Sequence, residues 1–265
     1  MPAPPWFEDV DVAVLDLDGT VHDDGAFVPV YLAMLTEEVG PTAGARIDEE
    51  VGRILTRRHP VSLGSLYDPE RDEVWAEALR GDGLATTWDG EPLLDARNPP
   101  SHAVYLGDAW QTVRAVALHH RVDGTALRRA FVRTRQRMHD PAVPLPGATS
   151  VAEALTAFDR CRHRVLASNT PEPLARPLVE RLGLTEAFDE IVLGAGKPAG
   201  LEALLERVLT RFAIAPSQVV CVGDNLRNDI APARRAGCRT VLVDPLTICS
   251  NGEADLVVSR LTDLA

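Results

Sequence analysis

Val12-Ala13-Val14-Leu15-Asp16-Leu17-Asp18-Gly19-Thr20 is the stretch on which the fold turns. Four consecutive apolar residues followed by a glycine turn predict a short strand buried on both faces. The run ends at two carboxylates separated by one residue, so the strand delivers both acids to its C-terminal edge. At an effective dielectric near 20, two carboxylates about 4 Å apart repel by roughly 4 kcal/mol. Such a pair persists only if a cation sits among the acids or one acid holds a proton. The stretch therefore calls for a metal and an acid–base pair.

Downstream, from about Pro146, strands and helices alternate. Val151, Ala154, Leu155 and Phe158 follow helical spacing. Arg164-Val165-Leu166-Ala167 is a short buried strand that ends at Ser168-Asn169-Thr170-Pro171. Leu178, Val179 and Leu182 mark a helix closed by Gly183. Glu190–Leu193 is a further strand, and Leu201, Leu204, Leu205, Val208, Leu209 and Phe212 define a strong helix. Gln218–Val222 reaches Gly223-Asp224; a short helix to Ala236-Gly237 leads into Arg239–Val243, and Leu256-Val257-Val258 closes the series. This alternation predicts an α/β fold, a doubly wound and mostly parallel sheet with helices on both faces. Ligands of such sheets bind outside the carboxyl ends of the strands, where the polar clusters of this chain fall.

Residues 25–140 read differently. Amphipathic helices are expected around Tyr31–Val39, Asp72–Arg80, Ala109–Leu118 and Ala126–Met138, where Leu127, Ala130, Phe131, Thr134 and Met138 share a face. Gly81 to Pro100, rich in Gly, Asp and Pro, reads as a loop around Trp88. The chain is thus expected to divide into a core domain, 1–24 with 141–265, and a mainly α-helical domain, 25–140, inserted after the first strand.

Composition narrows the function classes. With 265 residues, 45% hydrophobic and 25% charged, the chain buries a large core. No apolar run approaches the roughly 20 residues that span a bilayer, and no signal peptide is visible at Met1-Pro2-Ala3-Pro4-Pro5. Cys161, Cys221, Cys238 and Cys249 lack CxxC spacing and read as reduced packing residues of a cytoplasmic protein. A net charge of −12 argues against nucleic-acid or anionic-membrane partners. Lys197 is the only lysine among 27 Lys and Arg, a ratio that a GC-rich genome explains. Its position, at Gly194-Ala195-Gly196-Lys197-Pro198, is not explained that way, since arginine's rigid fork is no substitute for a compact ammonium in a tight site.

Four polar clusters each follow a predicted strand: Asp16-x-Asp18-Gly-Thr20, Ser168-Asn169, Lys197-Pro198 and Gly223-Asp224-x4-Asp229. In that order and spacing the chain resembles the haloacid dehalogenase (HAD) superfamily over roughly 1–24 and 141–265. The insertion point resembles that of the family's helical-cap subgroup. The resemblance implies a Rossmann-like core and a magnesium-dependent phosphatase acting on a small phosphorylated metabolite. It casts Asp16 as the nucleophile that forms an aspartyl-phosphate and Asp18 as general acid and base. Asp16 and Asp224 would bind Mg2+ through side chains and Asp18 through its backbone carbonyl, with Asp229 either a ligand or a support. The residues agree with that chemistry. Phosphoryl transfer needs an in-line nucleophile, cations on the equatorial oxygens and a proton for the leaving oxygen. A hard, oxygen-only site suits magnesium. Lys197 would offset charge on Asp16 and on the phosphoryl group. Ser168 and Asn169 are candidates to hold phosphate, although Ser168 is also suited to capping a helix and Asn169 to bracing the turn. Thr170-Pro171 reads as a helix N-cap and first-turn proline that aim free N–H groups at an anion.

Asp18 argues against dehalogenation, which the family performs without a second acid at that position. Schiff-base members need a further lysine, and none exists here. A phosphomutase shares all four motifs and stays open, as does a silent binding module, although no catalytic acid is missing. Within the insertion, Trp75, Trp88 and Trp110 read mainly as core, with Trp88 the best placed to face a ligand. Arg57-Arg58-His59 and His119-His120-Arg121 read as solvated helix faces with satisfied histidines ahead of substrate contacts. No oligomeric state is assigned.

Overall fold

The computed structural model describes residues 4–23, 25–76, 85–94, 98–145, 151–248 and 252–265. The chain divides into two compact units, Met1–Asp24 with Gln136–Ala265, and Gly25–Arg135. In chain order the elements begin with β1 (Val12–Leu15). The inserted unit follows with α1 (Val28–Val39), α2 (Pro41–Leu55), β2 (Leu66–Asp68), β3 (Glu73–Trp75), β4 (Ala85–Thr87), β5 (Val104–Tyr105), α3 (Ala109–His119) and α4 (Gly124–His139). The sheet unit then adds α5 (Val151–Leu155), β6 (His163–Ser168), α6 (Glu172–Arg181), β7 (Glu190–Leu193), α7 (Ala199–Phe212), β8 (Val219–Gly223), α8 (Ala231–Arg235), β9 (Arg239–Val243) and β10 (Leu256–Val258).

Six parallel strands form the main sheet in the order β10-β9-β8-β1-β6-β7. β1 is central because every one of its residues is apolar: Val14 sits between Val165 of β6 and Cys221 of β8, and all four residues are buried. A strand that is apolar on both faces is stable only where helices cover both. On one face α7 places Leu201, Leu204, Leu205 and Val208 against Val12, Val14, Val165, Ala167, Val219 and Cys221. Each of those α7 side chains contributes about 1.5–3 kcal/mol by leaving water. Because all six strands run the same way, Asp16, Ser168 and Gly223 emerge at one edge of the sheet.

The inserted unit is mainly helical, as expected, and also carries a small sheet. β2 to β5 make a four-stranded antiparallel sheet, order β4-β3-β2-β5, with Tyr67 opposite Val74 and Leu66 opposite Tyr105. The helix expected over Asp72–Arg80 is a strand where it is described, at Glu73–Trp75, and the loop around Trp88 contains β4. Strands of two or three residues are too short to display alternation, which is why the pattern is missed. α2 is likewise absent from the expected helices. Gly44 and Gly52 lower its helix propensity, yet Ile47, Val51 and Ile54 recur at helical spacing on its buried face. Gly44 lets α1 approach, since a Cβ there would lie 2.3 Å from the Thr36 hydroxyl. Trp110 stacks on Tyr31 at 5.2 Å, and α4 buries Leu127, Ala130, Thr134 and Met138 as its periodicity predicts. No helix among the described residues is long and apolar enough to cross a membrane.

Candidate active site

The backbone beyond β1 is folded back on itself. Asp16 N–H donates to the Val222 carbonyl, continuing the β1–β8 ladder, while His22 N–H donates to Leu17 and Gly19 N–H donates to His22. Gly19 has φ 78°, and a Cβ there would lie 2.2 Å from Asp224 Oδ2. Only glycine permits both the left-handed backbone and the close approach of that carboxylate.

Lys197 arrives from the loop after β7. That loop is pinned by Ala195 N–H to Ser168 O, Gly194 N–H to Thr170 O, and Lys197 N–H to Asn169 Oδ1 at 2.7 Å. Asn169 Nδ2 returns a bond to Lys197 O, so this exposed side chain braces the lysine loop. Lys197 Nζ is buried and stands 2.6 Å from Asp16 Oδ1 and 2.6 Å from Asp229 Oδ1. Burial works against its charge, but the two carboxylates outweigh burial and hold the ammonium protonated beyond its ordinary range. Asp16 is less well served. Burial pushes its carboxyl up to about 7, Lys197 pulls it down, and Asp229 and Asp18 push it up again. A single ammonium is thus shared between Asp16 and Asp229, with further carboxylates beside them, and it does not bring Asp16 back to its ordinary range.

Asp229 is fixed from a third direction. Its Oδ2 accepts from Asn225 N–H at 3.2 Å, so both of its oxygens are engaged. Gly223, the last residue of β8, makes room for it, since a Cβ there would lie 2.4 Å from Asp229 Cβ. Asn225 caps the π-type turn Leu226–Ile230, its Oδ1 accepting from Arg227 N–H and Asn228 N–H. Ligand oxygens of Asp16, Asp224 and Asp229 lie within 4.8 Å of one another. This all-carboxylate set, with the room that Gly19 leaves beside Asp224, fits a hard divalent cation such as magnesium.

Asp18 Oδ2 accepts from Thr170 Oγ1 at 2.9 Å and from Ser168 Oγ at 3.3 Å, and Ser168 Oγ accepts in turn from Thr170 N–H. The expected N-cap role of Thr170 is corrected here. The N-cap of α6 is Pro171, with no side-chain cap, and Pro171 and Pro173 have no N–H to offer an anion. Asn225 and Thr170 are the site residues that motif spacing missed. Asn225 carried a signal as a capping-type residue four before Asp229; Thr170 was visible only as a helix cap before a proline.

The inserted unit's polar candidates are structural. Glu50 accepts from Trp88 Nε1 at 2.6 Å, His59 Nε2 at 3.1 Å and His120 Nε2 at 2.5 Å. The His59 tautomer follows from Val61 N–H, which donates to Nδ1. Asp72 Oδ1 accepts from Tyr67 OH and His119 Nδ1, both at 2.7 Å. Trp88, the tryptophan best placed by sequence to face a ligand, takes the core role read for all three: it is 2% exposed and stacked on His119 with ring centroids 4.4 Å apart. Arg57 and Arg121 adopt φ 57° and 58° just past α2 and α3. There Arg58 N–H reaches Arg53 O and Val122 N–H reaches Ala117 O, so both basic runs are helix C-caps.

The family model for haloacid dehalogenase-like hydrolases matches residues 10–237. A phosphoserine phosphatase of Thermus thermophilus is 31% identical over 243 residues, 87% of this chain and 87% of that protein. A phosphoglycolate phosphatase of Escherichia coli K12 is 30% identical over 242 residues, 89% of this chain and 81% of that protein. Among solved structures, the HAD hydrolase YfnB of Bacillus subtilis, bound to magnesium, covers 96% of both chains with a TM-score of 0.57 at 15% identity, a likeness of fold.

Proposed function

Because the chain belongs to the haloacid dehalogenase-like hydrolases, a family of enzymes in which its relatives are named as phosphatases, we propose that it is a magnesium-dependent phosphatase of small phosphomonoesters. The observation that carries this reading is the difference in contacts between the two acids that follow β1. Asp16 is paired with Lys197, while Asp18, two residues on, accepts from the Thr170 and Ser168 hydroxyls. A nucleophile needs cations beside it and an acid–base group needs room to exchange its proton, and the contacts of the two acids divide along that line.

In this reading an Asp16 oxygen attacks phosphorus in line and forms an aspartyl-phosphate. Asp18 gives its proton to the departing oxygen, then takes a proton from the water that hydrolyses the intermediate. Lys197 balances Asp16 and the incoming phosphoryl charge, and Asp229 keeps the ammonium in place. Ser168 offers its hydroxyl to the phosphoryl oxygens, and Asn169 shapes the loop that presents Lys197. Asp16 and Asp224 side chains and the Asp18 carbonyl would hold magnesium, with Asp229 a ligand or a support, and the ion would supply positive charge to the phosphoryl oxygens. Lys197 is engaged by two carboxylates and is the chain's single lysine, which speaks against Schiff-base chemistry. We assign substrate choice to the inserted unit acting as a cap.

Phosphate release across a metabolite panel that includes phosphoserine and phosphoglycolate, with and without magnesium, tests the proposal. Turnover that needs magnesium and disappears in Asp16→Asn is expected. Equal turnover by that variant, or none on any monoester, would overturn the assignment. An isomeric phosphate in place of free phosphate would identify a phosphomutase.

A further inference from the structure

Thr170 is buried, yet its hydroxyl does not serve the helix that it precedes. Its backbone is fixed on both sides. Pro171 disfavours the helical region at Thr170, and Thr170 O accepts from Gly194 N–H at 2.9 Å. A β-branched side chain on a fixed backbone has little freedom at χ1, so the hydroxyl has a set direction. It points at Asp18 Oδ2, at 2.9 Å.

Ser168 shares that oxygen, at the longer distance of 3.3 Å. A serine hydroxyl has one proton to donate. Its acceptor side is already occupied by Thr170 N–H. When a phosphoryl oxygen takes the Ser168 proton, Asp18 loses that donor and keeps the one from Thr170. We propose that Thr170 is a positioning residue that holds the Asp18 carboxyl in place once substrate claims Ser168. The inference rests on the phosphatase reading above and extends it to a residue outside the four motifs.

Positioning of a general acid is felt in proportion to how much the leaving group needs a proton. An alkoxide needs one; p-nitrophenolate leaves as a stable anion. The kcat/KM value reports steps up to formation of the phosphoenzyme, the half-reaction in which Asp18 acts as acid. Thr170→Val keeps the shape and removes the donor, and Thr170→Ser restores the donor on a looser side chain.

The test measures kcat/KM with p-nitrophenyl phosphate and with the alkyl monoester that the wild type hydrolyses fastest. Thr170→Val is expected to lose about tenfold or more further on the alkyl than on the aryl ester, the scale of one hydrogen bond to a charged group. Thr170→Ser should fall between Val and wild type. The ratio of the two esters is independent of how much protein is folded, so a poorly folding variant still reports. Equal losses on both esters, or no loss, would overturn the positioning role and leave the phosphatase reading standing. A wild type inactive on both esters with magnesium would overturn the two together.

Discussion

Asp16 in the sheet unit and Glu50 in the inserted unit are both carboxylates drawn out of bulk water, and they are supplied with partners very differently. Glu50 receives three donors, from Trp88, His59 and His120. Burial would push its carboxyl up, but those hydrogen bonds outweigh burial and hold it below its ordinary range. Asp16 shares a single ammonium with Asp229, and burial first, then the charges of Asp229 and Asp18, hold it well above its ordinary range in spite of that ammonium. A saturated carboxylate fastens structure; one left short of positive charge is prepared to meet a cation and a phosphoryl group. Perturbed acids gather at functional sites for that reason.

The largest break in this contrast is Asp16→Asn. Loss of phosphate release by about six orders of magnitude is expected, the scale seen when a nucleophile is removed. The same variant should be more stable than the metal-free wild type. The folded Asp16 carboxyl titrates at about 7 against 3.8 unfolded. Its contribution to stability is therefore fully present below 3.8 and is lost as pH rises through 7. Thermal melting of the two proteins should thus diverge in favour of Asp16→Asn between pH 4 and pH 7, and magnesium should narrow the gap; a gap that shrinks with rising pH would refute the account.

Gly19→Ala forces a left-handed residue and a side chain into the space used by Asp224. Weakening of magnesium activation by about 10- to 100-fold is expected, as when the support of a ligand is disturbed. A magnesium titration of activity reads it directly, and an unchanged midpoint would remove Asp224 from the metal site.

Glu50→Gln tests the saturated side. It should cost about 2 kcal/mol of unfolding free energy by removing charge from a carboxylate with three donors, measured by denaturant titration at pH 7. The wild type should lose this advantage on acidification, because a carboxylate held low stabilises above its unfolded value of 4.5 and ceases to do so as pH falls through its folded one. The smallest effect belongs to Asp72, whose φ of 59° is costly for any residue with a side chain. Asp72→Gly relieves about 1 kcal/mol of backbone strain while losing the bonds from Tyr67 and His119, so Asp72→Ala, which loses the bonds and keeps the strain, should melt lower.

Legibility in the sequence followed length and cause. β1, β6 and β8 are apolar runs whose polar ends read as one cluster from residue order alone, because a parallel sheet brings strand ends together. α7 was equally plain, with four buried apolar residues at helical spacing. The antiparallel sheet was not, since three-residue strands such as Glu73–Trp75 lie below the length at which a period of two is visible. Trp88 was ambiguous for another reason: its neighbours in sequence are polar, while its neighbours in space are Glu50, Tyr67 and His119, drawn from distant positions. Thr170 read as a helix cap because a hydroxyl before a proline carries that pattern, and its bond to Asp18 depends on a residue 152 positions away.

The solitary lysine has a practical corollary. Protein grown with 15N- or 13C-enriched lysine carries a single labelled residue, and its ammonium lies between Asp16 and Asp229. With the label confined to Nζ, its spectrum would contain one resonance, free of assignment, that follows substrate and metal occupancy in real time. Amine-directed reagents meet the same circumstance: the chain's only ε-amine is buried under two ion pairs, so acylation at its α-amine can proceed while the site stays untouched.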